Sequence, residues 1–380
     1  MKEFTVLTIN PGSSSTKMGV VKGDKVIVNR EVDHHKEDFA ECKTFADQEP
    51  IRMAMIRKAL EEEGIALSDL DAVAGRGVGL YPCAGGTYKI DELAYEHAKN
   101  DVGGIRHPAS LGIIMSYKLG QELNIPAFFV NPMPTDELCD MARVTGIPGI
   151  YRPAKSHPLN QKQVAIHHSE LMGKKYEDCN MITVHMGGGI TMAFHSGGRM
   201  IDTLLDDAGP MSPQRAGRIP VTDVINMCYS GRYSKEEMAH KMRGNSGLVA
   251  YFGVHDARSV EKMIAQGDEK AKMIYWYMAY QIAKGIGELS VCNSGKMDCI
   301  ILTGGLAYSE MLVKWISDRV SFLAPVKVIP GEHEMQALAN GGMRVLLNEE
   351  LPKEYTWVPE GYSDYKEFLE ACIQKSDYVE

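Results

Sequence analysis

The feature that most constrains the fold is a run of three strands around a glycine-containing bend, which occurs twice. The first copy begins at Phe4, bends through residues 12–15 (Gly-Ser-Ser-Ser) and passes a tight turn at Gly23. The second copy covers residues 181–203 and bends at 187–189 (Gly-Gly-Gly), roughly 175 residues after the first bend. Apolar runs separated by short glycine turns are typical of hairpins. The repeat therefore predicts a duplicated α/β domain with two polar loops.

A third element differs from the other two. Residues 299–312 form an apolar strand that ends in Thr303-Gly304-Gly305 and leads into a helix. Such a junction allows a flat ring to lie against the backbone. The first bend is not a P-loop, because no second glycine precedes Lys17. A phosphate loop made of serine hydroxyls and backbone N–H groups and a plain polar turn are both open interpretations of that bend.

Length, charge and apolar content limit the class of protein. A chain of 380 residues predicts two domains, and a net charge of −9 without a basic block argues against a nucleic-acid partner. No secretory leader is visible in residues 1–20, and no apolar run reaches the ~20 residues that span a bilayer. Eight scattered cysteines suit reduced thiols. We therefore expect a cytoplasmic protein without a membrane partner.

The arrangement of two hairpin loops and one strand–Gly-Gly–helix junction resembles the actin, hexokinase and heat-shock ATPase superfamily. Within it the chain resembles the acetate kinase family, and among its members the butyrate kinases, up to about Glu350. The segments that carry the resemblance are INPGSSSTK, GRGVGLYPCAGGTY, FFVNPMPTDELCDMARVTGIP, HPLNQKQVA, HMGGGITMAFHSGGRMID, AGPMSPQRAG, LTGGLAYSE and IPGEHEMQALANGGMRVL.

The resemblance implies a duplicated actin-like (ribonuclease H-like) α/β fold with an ATP cleft between two domains. We expect residues 1–150 plus about 335–380 to form one domain and 151–334 the other, with a hinge near 146–153. The implied reaction is reversible transfer between ATP and a short-chain carboxylate, butyrate or a branched homologue, giving ADP and an acyl phosphate with Mg²⁺. A homodimer or higher homo-oligomer is also implied, and the apolar segment 268–290 suits a helix that is buried or packs on another subunit.

The residue types suit this chemistry. Phosphoryl transfer to a carboxylate brings two anions together, so it needs fixed positive charge more than a strong base. The acceptor carboxylate is already ionised near neutral pH. Arg76 and Arg215 lie in family motifs and carry the forked donors that suit carboxylate and phosphoryl oxygens, although arginines in such bends are often surface residues.

Further site residues follow from the resemblance. His157 and His185 match positions associated with the transferred phosphoryl group, although a histidine that ends a strand can also be structural. We interpret the other ten histidines, including His34 and His168, as surface residues. Glu334 matches the magnesium-associated glutamate, with Glu332 as the fallback. The predicted nucleotide and phosphate ligands are Asn10, Gly12, Ser13, Ser15, Lys17, Gly187, Gly188, Gly189, Thr303, Gly304 and Gly305.

Two positions depart from the family pattern. Asn131 stands where the family has a catalytic and metal-associated aspartate, and Ser156 stands where it usually has a phenylalanine that lines the acyl pocket. The other pocket candidates are Val78, Ile105 and Pro210. Two hypotheses result: an active carboxylate kinase in which Asn131 is part of the catalytic set, or a nucleotide-binding homologue whose catalysis is weakened because Asn131 carries no charge.

Overall fold

The computed structural model describes residues 3–104, 107–356, 362–364 and 367–371. By internal packing they form two compact units. Unit 1 comprises Met1–Asp136, Val144–Pro153 and His333–Glu380, and unit 2 comprises Glu137–Arg143 and Ala154–Glu332. The predicted two-domain α/β fold is confirmed, whereas the predicted functional boundaries and the hinge stay predictions.

The sheet of unit 1 is built on the first hairpin pair. Its described strands have the order β3-β2-β1-β4-β6-β5, in which β1 to β3 are antiparallel and β4 and β6 run parallel to β1. Leu7 and Ile9 on β1 are fully buried, because helices cover the sheet. The elements are β1 (Thr5–Pro11), β2 (Ser15–Lys22), β3 (Lys25–Asp33), β4 (Ala72–Gly75), β5 (Thr87–Lys89), β6 (Ala127–Val130), α1 (Glu49–Glu62), α2 (Glu92–Asn100), α3 (Leu111–Leu123) and α12 (Glu334–Leu346).

Unit 2 repeats this topology. Its described strands have the order β9-β8-β7-β10-β11, again three antiparallel strands followed by parallel neighbours of the first. The predicted duplication is therefore confirmed for β3, β2, β1, β4 and β6 of unit 1, whereas β5 has no counterpart among the described strands of unit 2. The elements are β7 (Met181–Met186), β8 (Ile190–Ser196), β9 (Arg199–Leu204), β10 (Cys299–Gly304), β11 (Val326–Pro330), α4 (Asp140–Arg143), α5 (Pro158–Leu171), α6 (Val221–Cys228), α7 (Lys235–Met242), α8 (Gly247–Phe252), α9 (Ala257–Ala265), α10 (Glu269–Ser290) and α11 (Glu310–Val320).

The long helix α10 has two different faces. Tyr275 on one face is fully buried in the core of unit 2, and the Asp268 carboxylate caps the first turn. Trp276, Tyr277 and Tyr280 on the other face are partly exposed. The second alternative for this segment, contact with another subunit, stays a prediction. No helix of the described ranges is long and apolar enough to cross a bilayer.

Three histidines that the sequence placed on the surface are buried. His195 is fully buried on β8, where its ring is hydrogen-bonded to Tyr176 Oη at 2.7 Å and Thr183 Oγ1 at 2.8 Å. Burial lowers the pKa of His195 to about 3. His34 and His168 are also buried. The surface interpretation was wrong for these three. Hydroxyl groups of Thr16, Tyr176 and Thr183 are hydrogen-bonded to the rings of His34 and His195, whereas His168 Nε2 is buried without a hydrogen-bond partner among the described residues.

Candidate functional site

The first polar loop of unit 1 is the bend between β1 and β2. Gly12 N–H donates to Ser15 O at 2.7 Å, and Asn10 pairs with Lys17 across the hairpin. The Ser13 side chain is exposed, whereas Ser15 is buried and its hydroxyl donates to Glu31. The bend between antiparallel strands is confirmed, and within it Ser13 and Ser14 are exposed whereas Ser15 is buried.

Three predicted site residues meet beside this loop. Arg76 Nη1 and Asn10 Nδ2 each donate to Glu334 Oε2 at 2.7 Å, and Arg76 Nη1 also donates to Asn10 Oδ1 at 3.3 Å. The contact forms because β1 and β4 are parallel neighbours that end at one sheet edge, where α12 begins with Glu334. Glu334 is buried, whereas the fallback Glu332 is exposed and belongs to unit 2.

His107 is a further residue of this cluster that the sequence did not single out. Its pKa is lowered by burial and, to a smaller extent, by the positive charge of Arg76. Its Nδ1 accepts a hydrogen bond from Ala109 N–H at 3.1 Å, so the side chain caps a short 3₁₀ turn. A histidine before Pro108 carries no motif signal, and its place beside Arg76 depends on tertiary packing.

Asn131 is hydrogen-bonded to the backbone of unit 1 at Gly86. Its Oδ1 accepts from Gly86 N–H at 2.8 Å, and its own N–H donates to Gly86 O at 2.9 Å. The residue is buried with φ of +39°, a conformation that asparagine and aspartate adopt more readily than most residues. The next residues, Pro132 and Met133, pack against Gly77, the neighbour of Arg76.

In unit 2 the two predicted histidines lie face to face. The rings of His157 and His185 stack with centroids 4.0 Å apart and an interplanar angle of 14°. His157 Nδ1 is hydrogen-bonded to Thr191 Oγ1 at 2.8 Å, and His185 Nδ1 to Asn160 Oδ1 at 3.0 Å. Because Asn160 Oδ1 can only accept, His185 Nδ1 is the donor of that bond and Nε2 of its neutral ring is an acceptor, whereas the Thr191 hydroxyl can donate to His157 Nδ1.

The second polar loop follows directly from His185. Gly187 N–H donates to Gly189 O at 2.9 Å, and Gly188 O accepts from Gln214 N–H and Ser212 Oγ. These bonds join the loop to the segment that carries Arg215.

Arg215 is held by an acidic partner that the sequence analysis missed. Its Nε donates to Asp206 Oδ2 at 3.0 Å, and Arg243 Nη2 binds both oxygens of the same carboxylate at 2.6 and 2.7 Å. Asp206 is buried and lies against Gly189, so Arg215 is fixed at the second loop. The sequence feature that could have identified Asp206 is its position two residues after the end of β9.

The third element lies next to the second loop. Thr303 on β10 is in register with His185 on β7, and the Cα of Gly304 packs on the backbone of Met186. Gly304 also exchanges two backbone hydrogen bonds with Gly331, at 3.0 and 3.1 Å. The structure therefore brings His185, the second loop and the Gly304-Gly305 junction together at one end of the sheet of unit 2.

The predicted acyl-pocket residues have different surroundings. Val78 is fully buried in unit 1, and Ile105 lies outside the described residues. In unit 2, Ser156 is buried and its Oγ has no hydrogen-bond partner within the described residues. Pro210 lines a cavity of about 460 Å³ together with Gly209, Arg218, Tyr277, Tyr280, Gln281, Lys284 and Gly285.

Comparison with known families identifies the group to which this architecture belongs. The model of the acetokinase family matches residues 150–351, which is more than half of the 380 residues. The chain belongs to the acetokinase family. It is therefore a kinase of a carboxylate-phosphorylating family and uses ATP or ADP.

Solved structures support the fold. Acetate kinase from Porphyromonas gingivalis aligns with a TM-score of 0.76 at 18% identity, over 90% of this chain and 100% of that one. Propionate kinase from Francisella tularensis gives 0.71 at 19% identity, over 89% and 98%. Acetate kinase from Entamoeba histolytica gives 0.73 at 18% identity, over 90% and 100%. At these identities the likeness shows the fold.

Proposed function

We propose that the protein transfers the γ-phosphoryl group of ATP to a short-chain carboxylate, reversibly, with butyrate or a branched homologue as the acid. The observation that carries the proposal is the Arg76–Asn10–Glu334 cluster beside the first polar loop, in a chain of a kinase family. A guanidinium fixed by a buried carboxylate is preorganised, so it need not reorient when negative charge develops.

The reaction needs charge stabilisation rather than proton removal. The acceptor is an ionised carboxylate at neutral pH, and its oxygen attacks phosphorus while ADP leaves. Arg76 and Arg215 supply forked donors for the carboxylate and the phosphoryl oxygens. His157, whose Nδ1 can accept from the Thr191 hydroxyl, donates from Nε2 to an equatorial oxygen. His185 donates from Nδ1 to Asn160 Oδ1, so its ring positions His157 by stacking and does not donate from Nε2 in the neutral form.

Magnesium suits the donor set of the first loop. Mg²⁺ is usually bound through one or two carboxylates, with waters and phosphate oxygens completing the shell. Glu334 supplies one buried carboxylate, and Asn10 a side-chain amide next to it. These two residues would hold the ion, which would neutralise charge on the nucleotide phosphates. Among the described residues no group of three or more His, Cys, Asp and Glu side chains could hold a metal ion by itself.

The preferred carboxylic acid is determined by trapping the acyl phosphate product. Purified protein with Mg-ATP and butyrate should form butyryl phosphate, which hydroxylamine traps as a coloured hydroxamate. We expect product with C4 and branched C5 acids in excess of that with acetate, because Ser156 leaves more room than phenylalanine. The controls omit enzyme or carboxylate. Absence of hydroxamate with every acid from C2 to C5 contradicts the proposed activity, and a preference for acetate contradicts the substrate assignment alone.

Asn131→Asp tests whether the missing charge limits turnover. An aspartate oxygen can still accept from Gly86 N–H and tolerates the positive φ, so the fold should be kept. We expect kcat with butyrate to change less than about tenfold, equivalent to about 1.4 kcal/mol of barrier, because Glu334 already provides a carboxylate. The magnesium concentration for half-maximal rate should shift instead.

Asn131→Ser is the companion variant, since it is neutral and small. A gain of tenfold or more in kcat for Asn131→Asp alone would contradict the expected modest effect and support the weakened-homologue hypothesis. Loss of activity in Asn131→Asp with a native melting curve would indicate a site that requires the neutral amide.

A further inference from the structure

Arg52 on α1 is a buried cation whose hydrogen bonds all go to uncharged oxygens. The residue is 1% exposed. Its Nη1 donates to Gly12 O at 3.0 Å and Thr16 Oγ1 at 2.9 Å, and its Nε and Nη2 donate to Gln48 Oε1 at 3.1 and 2.9 Å. The guanidinium also lies over the Phe39 ring, 4.8 Å from its centroid. None of these partners carries a negative charge.

A buried charge without a counter-charge is costly, and buried cations are normally paired. Burial lowers the pKa of Arg52 to about 10, so the group is still protonated at neutral pH. His34, which is hydrogen-bonded to Thr16 Oγ1, adds no second charge there, because burial and Arg52 lower its pKa to about 4. The carboxylate that contacts the loop is that of exposed Glu31, on Ser15 Oγ.

Arg52 and His34 also fix the orientation of the peptide groups in the first loop. Gly12 O points at the Arg52 guanidinium, and Ser14 O accepts from His34 N–H at 2.8 Å. In a trans peptide the C=O and the following N–H point in opposite directions. The N–H of Ser13 is therefore directed away from Arg52, and that of Ser15 away from the backbone of His34. Backbone N–H groups of a turn are a common way to bind an anion.

We propose that Arg52 is a positioning residue for phosphate binding: it holds Gly12 O, so that the Ser13 N–H is directed away from the guanidinium, and a phosphate anion at the loop balances the charge of Arg52. This inference rests on the proposed function for the role of the anion in catalysis. The phosphate itself does not touch Arg52, because Gly12 and Thr16 lie between the guanidinium and the outer side of the loop.

Binding of inorganic phosphate provides a test that does not require turnover. The melting temperature of the wild-type protein should rise with phosphate concentration, whereas Arg52→Met should lose most of that rise. Arg57→Met is the matched control, since Arg57 lies on the same helix, is partly exposed and pairs with Glu122 at 2.5 Å. It should respond to phosphate as the wild type does.

A merely structural role predicts a different result, namely a lower melting temperature for Arg52→Met with an unchanged phosphate increment. That outcome overturns the proposal. If Arg52→Met does not fold, Arg52→Lys replaces it, because lysine keeps the charge but cannot bind Gly12 O, Thr16 and Gln48 at once. For Arg52→Lys we then expect phosphate to raise the melting temperature by a smaller but measurable amount. A rise as large as that of the wild type contradicts the positioning role.

Kinetics give a second readout. Arg52→Ala should lower kcat/KM for ATP on the order of 10²-fold. Added guanidinium ion, well below denaturing concentrations, should raise kcat/KM of this variant at least tenfold. Arg57→Ala should show neither effect. Absence of rescue in folded Arg52→Ala overturns the role of the charge. If the wild type makes no acyl phosphate but its phosphate response depends on Arg52, the proposed function fails and the loop assignment stands.

Discussion

Arg215→Ala is expected to lower kcat for acyl phosphate formation by on the order of 10²-fold or more, with little change in stability. The guanidinium is held beside the second loop by Asp206, where it can act on charge that develops during transfer. Stability should be retained because Arg243 Nη2 still donates to both oxygens of the buried Asp206 carboxylate, which therefore keeps a cationic partner. Steady-state rates and a thermal melt check both parts.

Arg232→Ala is the control for this experiment, since Arg232 is exposed and lies outside the predicted site. Its rate should match the wild type. Normal turnover in Arg215→Ala would remove Arg215 from the site. Arg76→Ala is less informative, because buried Glu334 would keep Asn10 as its hydrogen-bond donor but lose the cation at 2.7 Å. Loss of a buried partner is destabilising, so that variant combines lower stability with lower activity.

The strands and their duplication could be predicted because their signals are local. Alternating or continuous apolar runs and glycine turns specify each hairpin within about 25 residues, and both units follow the same order. Helix starts depend on equally local signals: Ser234 and Glu237, three residues apart, form a capping box at the start of α7. Such features depend on residues that are neighbours in sequence, so they can be recognised without knowledge of the tertiary structure.

The site was predictable mainly through the resemblance. Asn10 and Glu334 are 324 positions apart and meet because α12 begins at the edge where β1 and β4 end. No periodicity in the sequence indicates that contact. Partners without a motif, such as Asp206 and His107, were missed for the same reason.

Burial of polar groups was the main source of error. Arg52 lies on a helix rich in charged residues, and its sequence context resembles that of partly exposed Arg57. What distinguishes them is the tertiary position of the first loop, which supplies carbonyl oxygens to Arg52. His34 and His195 were assigned to the surface, although Tyr176 and Thr183 satisfy both ring nitrogens of His195 and Thr16 satisfies Nε2 of His34 inside the protein.

Gly304→Ala is expected to destabilise the protein by about 3–5 kcal/mol and to abolish detectable ATP binding in whatever fraction folds. Gly304 has φ of +88°, and an added Cβ would lie 2.5 Å from Met186 O and 2.8 Å from Met186 N. Backbone atoms in a sheet cannot move aside as a flexible side chain can. The strain would fall on the Met186–Gly187 turn, where the second loop begins next to His185.

Gly305→Ala is the matched control, one residue away. No atom lies within 4 Å of its added Cβ, and its φ is not in the left-handed region. We expect its free energy of unfolding in urea to lie within about 0.5 kcal/mol of the wild type, as for ordinary surface substitutions. If Gly304→Ala matched the wild type in both urea unfolding and ATP titration, the close approach of the third element to the second loop would be wrong. Weaker ATP binding by well-folded Gly305→Ala would instead place that glycine against the nucleotide, as the strand–Gly-Gly–helix pattern predicts.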